Sequence, residues 1–298
     1  MDFPYIHQFE KILAKNAPFL ASRITSSKDL FGDEWALKFE ETLQKFFGGH
    51  EEQLERIVQS FIDLTIQGTR LEREFAKVRK YISKSYDEAS EEVYHNEDYM
   101  YKVYLPGLLL SNFLWPLHYR QLSYMCENFI PRILAAENKS FCDIGIGTGF
   151  FSRAILASSQ KIVGKGFDIS KYSLSYTENH INAFGFSNQW SSENRNVITN
   201  PPGEQWPFLI SVEVLEHLEN PKSLLQTFRK MLARGGTGFV SAAITAPQPD
   251  HIYLYNNCRE IKDQLVETGF KIIEFTEIKA YEPKNEEPVP RLGAFIVQ

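Results

Sequence analysis

Residues 141–152, Phe-Cys-Asp-Ile-Gly-Ile-Gly-Thr-Gly-Phe-Phe-Ser, constrain this chain more than any other stretch. Residues 141–144 read as a short buried strand. Gly145, Gly147 and Gly149 then form a turn where backbone can approach a ligand closely. Residues 150–158 predict the helix that follows. A helix start leaves N–H groups without intrahelical partners, and these point at whatever the turn holds. The stretch therefore predicts a nucleotide-type site.

Dinucleotide sites use Gly-x-Gly-x-x-Gly, which sets a pyrophosphate against the helix. Here the spacing is Asp143-x-Gly145-x-Gly147-x-Gly149, with the acid two residues ahead of the first glycine. A dinucleotide site and a glycine loop without a ligand are the competing readings. The pattern resembles the first motif of class I S-adenosylmethionine (SAM) methyltransferases. Their cofactor lacks phosphate and carries a cationic amino group and a sulfonium, so an acid beside the turn suits it.

From Ser140 onward, short strand-like runs alternate with helical ones, as in a parallel α/β sheet. Further strands are predicted at 161–167, within 189–198, and at 207–212, 237–245, 271–280 and 292–298. Helices are predicted at 172–184, 221–234 and 257–268. Asp168 and Ile169 follow the second strand, where a carboxylate grips a ribose diol. Asn196 follows the third, at a point where methyltransferases often have an acid near the adenine; here the chain departs from that pattern. The run SVEVLEHLENPKSLLQTFRKMLARGG, 211–236, is similar to the corresponding stretch of the same family. The resemblance covers about half the chain, from Arg132 on. It implies that Asp143 and the three glycines cradle the methionine part of SAM, that Asp168 holds the ribose, and that Ile169, Asn196 and Glu213 also line the cofactor. It implies further that the last strand lies antiparallel beside its predecessor, and that the polar loop 281–291 borders the substrate. His118, Tyr119 or Arg120 would close over the cofactor, with Arg120 as the partner of its carboxylate.

The 298 residues fit one large domain or two modest ones, and 43% hydrophobic content is enough for a core. A net charge of −6 argues against an extended nucleic-acid surface, and so against a DNA partner. Cys126, Cys142 and Cys258 are scattered, which suits a reducing cytosol and offers no disulfide framework. The first residues lack a signal-peptide pattern. The longest uncharged stretch, 103–119, contains Pro106 and Pro116 and is too short and interrupted to span a bilayer. A cytoplasmic location without stable membrane insertion is expected.

Upstream, helices are predicted at 5–14 and 34–47, the second ended by Gly48-Gly49. A third starts near His50 and keeps apolar helical spacing to Ile82, with Gly68 marking a kink or a close contact. Its cations, Arg70, Arg73, Lys77, Arg79, Lys80 and Lys84, read as a solvated face, with an RNA- or phosphate-binding stripe as the alternative. A tyrosine-rich segment, 91–104, precedes a nearly continuous apolar helix at 105–125. That helix is either plain core or a lid shaping a pocket over the glycine turn; peripheral membrane attachment is a third reading.

Glu213, Glu216 and His217 stand at i, i+3 and i+4 and would share one side of a helical turn. They follow a central strand, and His251 comes in the loop after the next one. This arrangement resembles two metal-dependent branches of the family, the small-RNA 3′-terminal 2′-O-methyltransferases and the ubiquinone-pathway catechol O-methyltransferases. The resemblance implies a divalent metal (Mn, Mg, Fe, Co or Zn) on Glu213, Glu216, His217 and His251. Such an ion binds neighbouring substrate oxygens and lowers a hydroxyl's pKa. The metal-free alternative makes His217 or His251 a general base.

These readings give an α/β protein: a seven-stranded, Rossmann-like methyltransferase sheet in residues 132–298, capped by an all-helical N-terminal domain in 1–131. The expected reaction is methyl transfer from SAM to a small-molecule acceptor, an O-methylation in secondary or natural-product metabolism. N- or carboxyl-methylation, RNA 2′-O-methylation and a non-catalytic SAM-binding scaffold are the rivals. A homodimer through the helical domain is the expected assembly.

Overall fold

The computed structural model of the chain describes residues 2–82, 84–282 and 289–298. Its strands are β1 Ser140–Ile144, β2 Val163–Asp168, β3 Trp190–Asn194, β4 Trp206–Ser211, β5 Leu232–Ile244, β6 Ile272–Lys279 and β7 Arg291–Val297. They form one sheet in the order β3-β2-β1-β4-β5-β7-β6. β1 to β5 are parallel, and β7 lies antiparallel between β5 and β6. The seven-stranded Rossmann-like sheet is thus present, with each strand within a few residues of its predicted place. The strand order reverses between β1 and β4, and a crevice opens there beyond their carboxyl ends, the usual ligand position in such sheets.

Helices α1 Pro4–Asn16, α2 Ser22–Glu41, α3 Glu51–Val78, α4 Tyr86–Glu92, α5 Glu97–Tyr99, α6 Leu105–Leu114, α7 Pro116–Tyr124 and α8 Ile130–Ala135 precede the sheet. Helices α9 Phe150–Ala157, α10 Lys171–Ala183, α11 Pro221–Met231 and α12 Cys258–Glu267 flank it. α2 begins well before the predicted start at 34, because its first half is helical up to a break at Gly32, φ 73°. α3 stops at Val78, earlier than the apolar spacing suggested, when Arg79 turns left-handed at φ 55°. Gly68 marks a close contact: a Cβ there would lie 3.2 Å from Nε2 of Gln248. Arg73, Lys77, Arg79 and Lys80 are exposed and form no ion pair among the described residues, as a solvated face does. The apolar run 105–125 is two helices, not one. Trp115 is extended (φ −103°, ψ 111°), and Pro116 restarts the helix where its missing N–H costs nothing.

The upstream helices pack directly on the sheet's flank. One buried cluster joins Phe9, Trp35, Phe39, Phe61 and Phe113 to Phe150 of α9 and Tyr176 of α10. The Phe113 and Phe150 rings meet edge to face at 5.2 Å, and Trp35 Nε1 donates to the Phe113 carbonyl at 2.9 Å. Residues 283–288 of the polar loop expected to border the substrate lie outside the described residues. No helix among the described residues is long and apolar enough to cross a membrane.

Candidate active site

A cavity of about 590 Å³ fills the crevice between the sheet and the N-terminal helices. Its floor is the glycine turn. Gly145, Gly147 and Gly149 have φ of 77°, 52° and 70°, a region costly for residues with a Cβ. The Gly145 N–H donates to the Phe167 carbonyl at 2.8 Å, tying the turn to the end of β2. Asp143 is buried at the end of β1 and accepts from Ser152 Oγ at 2.5 Å. Burial pushes its carboxyl up to about 7, against the Ser152 hydrogen bond. Asp168 ends β2; its Oδ2 accepts from Gly147 N at 3.3 Å and its Oδ1 from Ser170 N at 2.8 Å. Burial raises it to about 6 despite these donors. Asp143 is buried and Asp168 half-buried at the cavity wall, and both keep unused accepting capacity, an arrangement that favours a ligand offering donors or positive charge.

Ile169 and Asn196 line the same cavity. The Asn196 Oδ1 is committed to its own turn, accepting from Ile198 N at 3.0 Å and Thr199 N at 3.3 Å. Arg120 does not reach the cavity. α7 turns it to solvent, while His118 and Gln121 face inward, so Arg120 is not placed to meet a cofactor carboxylate. Tyr119 is buried against Phe31 and also stays off the cavity wall. His118 lines it; burial lowers its pKa to about 4, leaving a neutral imidazole with Nδ1 3.1 Å from Ser111 Oγ.

The segment 213–217 is not the helical turn expected. Glu213 is left-handed at φ 54°, and only Leu215–His217 forms a short 3-10 turn. Glu213 and Glu216 therefore have different surroundings. Glu213 Oε1 accepts from Ser241 Oγ at 2.7 Å and Gln121 Nε2 at 3.2 Å. Glu216 is fully buried behind the wall; its Oε1 accepts from Ala243 N at 3.1 Å, while Oε2 has no hydrogen-bond partner among the described residues. Burial raises both carboxyls, Glu213 to about 7, and the charge of Glu213 pushes Glu216 further up. Without a cation, at least one of the two carries a proton near neutral pH.

His251 reaches this point because the Glu216 carbonyl accepts from Ile252 N at 2.8 Å and Tyr253 N at 2.9 Å, which folds the β5–α12 loop back over the turn. The His217 and His251 rings stand 5.1 Å apart. Burial lowers both pKa values, that of His251 to about 3, so both imidazoles are neutral with lone pairs available. Glu216, His217 and His251 each bring one ligand-type atom within 4.8 Å of the others. Glu213 is outside this trio, its carboxylate being turned to Ser241 and Gln121.

Sequence reasoning assigned no role to three participants. Asp250, buried beside His251, accepts from the hydroxyls of Tyr94 at 2.9 Å and Tyr104 at 2.5 Å. Burial acts to raise Asp250, yet the hydrogen bonds donated by the two phenols help to hold it below its ordinary range. Both tyrosines belong to the tyrosine-rich segment 91–104, whose composition was the one available hint.

A family model described as a methyltransferase domain matches residues 117–274. A ubiquinone biosynthesis O-methyltransferase of Stutzerimonas stutzeri is 24% identical over 133 residues, covering 45% of this chain and 56% of that protein. One of Nitrosomonas europaea is 24% identical over 141 residues, 47% and 57% of the two chains. The chain thus spans little more than half the length of these curated relatives. Among solved structures, PigF with SAH shares 12% identity at a TM-score of 0.58, over 85% of this chain and 76% of that one. The [4+2]-cyclase SpnF shares 11% at 0.55, over 72% and 96%. At such identities the structures show the fold alone, and activity has to be argued from the site.

Proposed function

The chain belongs to the methyltransferase-domain family, and on that premise we propose that it moves a methyl group from SAM to an oxygen of a small polar acceptor, with a divalent ion held by Glu216, His217 and His251. The observation that carries this reading is the unpartnered Glu216 Oε2, buried beside two neutral imidazoles and next to a second carboxylate. No lysine or arginine among the described residues pairs with either glutamate. The donor set fits a cation: one carboxylate and two imidazoles suit Mn, Fe, Co or Zn, and Mg where water and substrate complete the site. When bound, such an ion acts as a Lewis acid that favours the acceptor as an oxyanion. The relatedness to O-methyltransferases of ubiquinone biosynthesis supports an oxygen acceptor.

The protein's own contribution is mostly placement. Asp143 and the glycine turn would take the methionine end, and Asp168 the ribose, so that the sulfonium methyl faces the part of the cavity bounded by His217 and His251. The Tyr104, Leu108 and Trp115 side chains add bulky, largely apolar wall to the cavity, which limits water around the reacting groups. The acceptor oxygen attacks the methyl carbon, the C–S bond breaks, and S-adenosylhomocysteine (SAH) leaves. A metal-free reading is supported by the depressed His217 pKa, which leaves a neutral imidazole able to take the acceptor's proton.

The test is calorimetry with SAH, followed by a screen of diols, catechols, amines and acids with and without added Mn. SAH binding with metal-dependent turnover of an oxygen acceptor is expected. Absence of SAH binding to the folded protein overturns the methyltransferase reading.

A further inference from the structure

The helical part of the chain touches the reaction centre through Tyr94, which lies between α4 and α5. Its hydroxyl is 2.9 Å from Nδ1 of His217 and 2.9 Å from Oδ2 of Asp250. A phenol has one proton to donate and lone pairs to accept with, whereas an aspartate carboxylate only accepts. The same Oδ2 also takes the Tyr104 hydroxyl at 2.5 Å, so two phenols converge on one carboxylate oxygen. The single Tyr94 proton is drawn to the carboxylate, the stronger acceptor. Its oxygen therefore faces Nδ1 as an acceptor, and Nδ1 has to donate. The Nε2 of His217 lies 3.6 Å from Asp250 Oδ2, too far to hold a proton there by a hydrogen bond.

From these contacts we infer that Tyr94 is a positioning residue: it keeps the His217 proton on Nδ1 and leaves the Nε2 lone pair for a metal ion or an acceptor's proton. This rests on the proposed function only for what Nε2 then does. The main chain of Tyr94 has a separate task. Its carbonyl accepts from Ser170 Oγ at 2.9 Å, and Ser170 N donates to Asp168 at 2.8 Å, so the residue also braces the ribose end of the site. Replacing the ring hydroxyl alone leaves that brace in place.

The experiment uses the full chain after EDTA treatment and reads the ring-nitrogen NMR signals of His217, identified by their loss in His217→Ala. Wild type is expected to show Nδ1–H. Tyr94→Phe is expected to show the Nε2–H form, with Mn affinity lowered about tenfold or more and SAH affinity unchanged. Asp250→Asn, which frees the Tyr94 proton for Nδ1, is expected to move the His217 proton to Nε2 as well. Nε2–H in the wild type overturns the inference, as does Nδ1–H retained in Tyr94→Phe. If Mn binds none of the proteins, the metal reading fails, and the tautomers alone decide the role of Tyr94.

Discussion

Gly145 and Val214 meet across the crevice so closely that a Cβ on Gly145 would lie 2.6 Å from Cγ2 of Val214. The glycine turn and the Glu-Val-Leu-Glu-His run are thus packed against each other. Gly145→Ala faces two costs, this overlap and a φ of 77°. The second is about 1–2 kcal/mol for a residue with a Cβ. Gly145→Ala is therefore expected to lower stability and weaken SAH binding at least tenfold by calorimetry. Val214→Ala in the same chain should recover the overlap part and leave the backbone part. A double variant no better than Gly145→Ala would mean the Val214 contact is unimportant.

Asp168 should trade stability for binding. Its folded pKa, near 6, lies above the unfolded value near 4, and burial is the main cause. Such a group stabilises the fold fully below pH ~4, and that contribution is lost as pH rises through 6. Without ligand, Asp168→Asn is expected to gain up to ~2–3 kcal/mol relative to wild type between pH 4 and pH 8. The variant should lose SAH affinity by ~1.5–3 kcal/mol, since a charged acceptor for the ribose hydroxyls is gone. Denaturant midpoints at the two pH values check the first claim and calorimetry the second. A variant whose relative stability is flat with pH would rule out the buried charge.

The fold was legible because its signals are local. Strand-like runs bounded by glycines and by Asp168 place β1, β2, β4 and β5 within a few residues. The left-handed turn at Gly145, Gly147 and Gly149 follows from residue type alone. What the chain order hides is long-range pairing. Asp250 matters because Tyr94 and Tyr104 reach it from about 150 residues away in sequence. Glu213 leaves the trio because one positive φ turns its carboxylate toward Ser241. Helical spacing cannot foresee that. Arg120 carries the right charge for a carboxylate partner, but the rotation of α7 points it outward.

The upstream helices should be indispensable. Phe113 is fully buried against Phe150, and the cluster they share crosses residue 132. A fragment starting at Arg132 would uncover Phe150 and Tyr176. Burial of each such side chain is worth about 1.5–3 kcal/mol. The fragment is expected to aggregate or to lack turnover, and Phe113→Ala in the full chain to cost ~3–5 kcal/mol. A soluble, fully active fragment 132–298 would show that the helices are accessory.

The cation is the part of the proposal most open to a direct test. Glu216 has one oxygen satisfied by Ala243 N–H and one without a partner among the described residues, while Glu213 stands beside it as a second, half-buried acid. In the metal-free state one of these carboxyls holds a proton, so Glu216→Gln, which keeps the shape and removes the titrating group, should change stability by less than ~1 kcal/mol. With an ion the case reverses, because the lost charge is a lost ligand. Affinity for Mn is then expected to fall at least tenfold, and His251→Ala should do the same while leaving SAH binding intact. Binding displaces the proton that burial and the neighbouring Glu213 charge hold on Glu216, so wild-type metal affinity should rise as pH climbs above the ordinary carboxylate range. Activity should vanish after exhaustive EDTA dialysis and return with Mn, Mg or a similar ion. Elemental analysis alongside turnover settles the matter: a metal-free protein working at full speed would remove the cation and leave neutral His217 as the base.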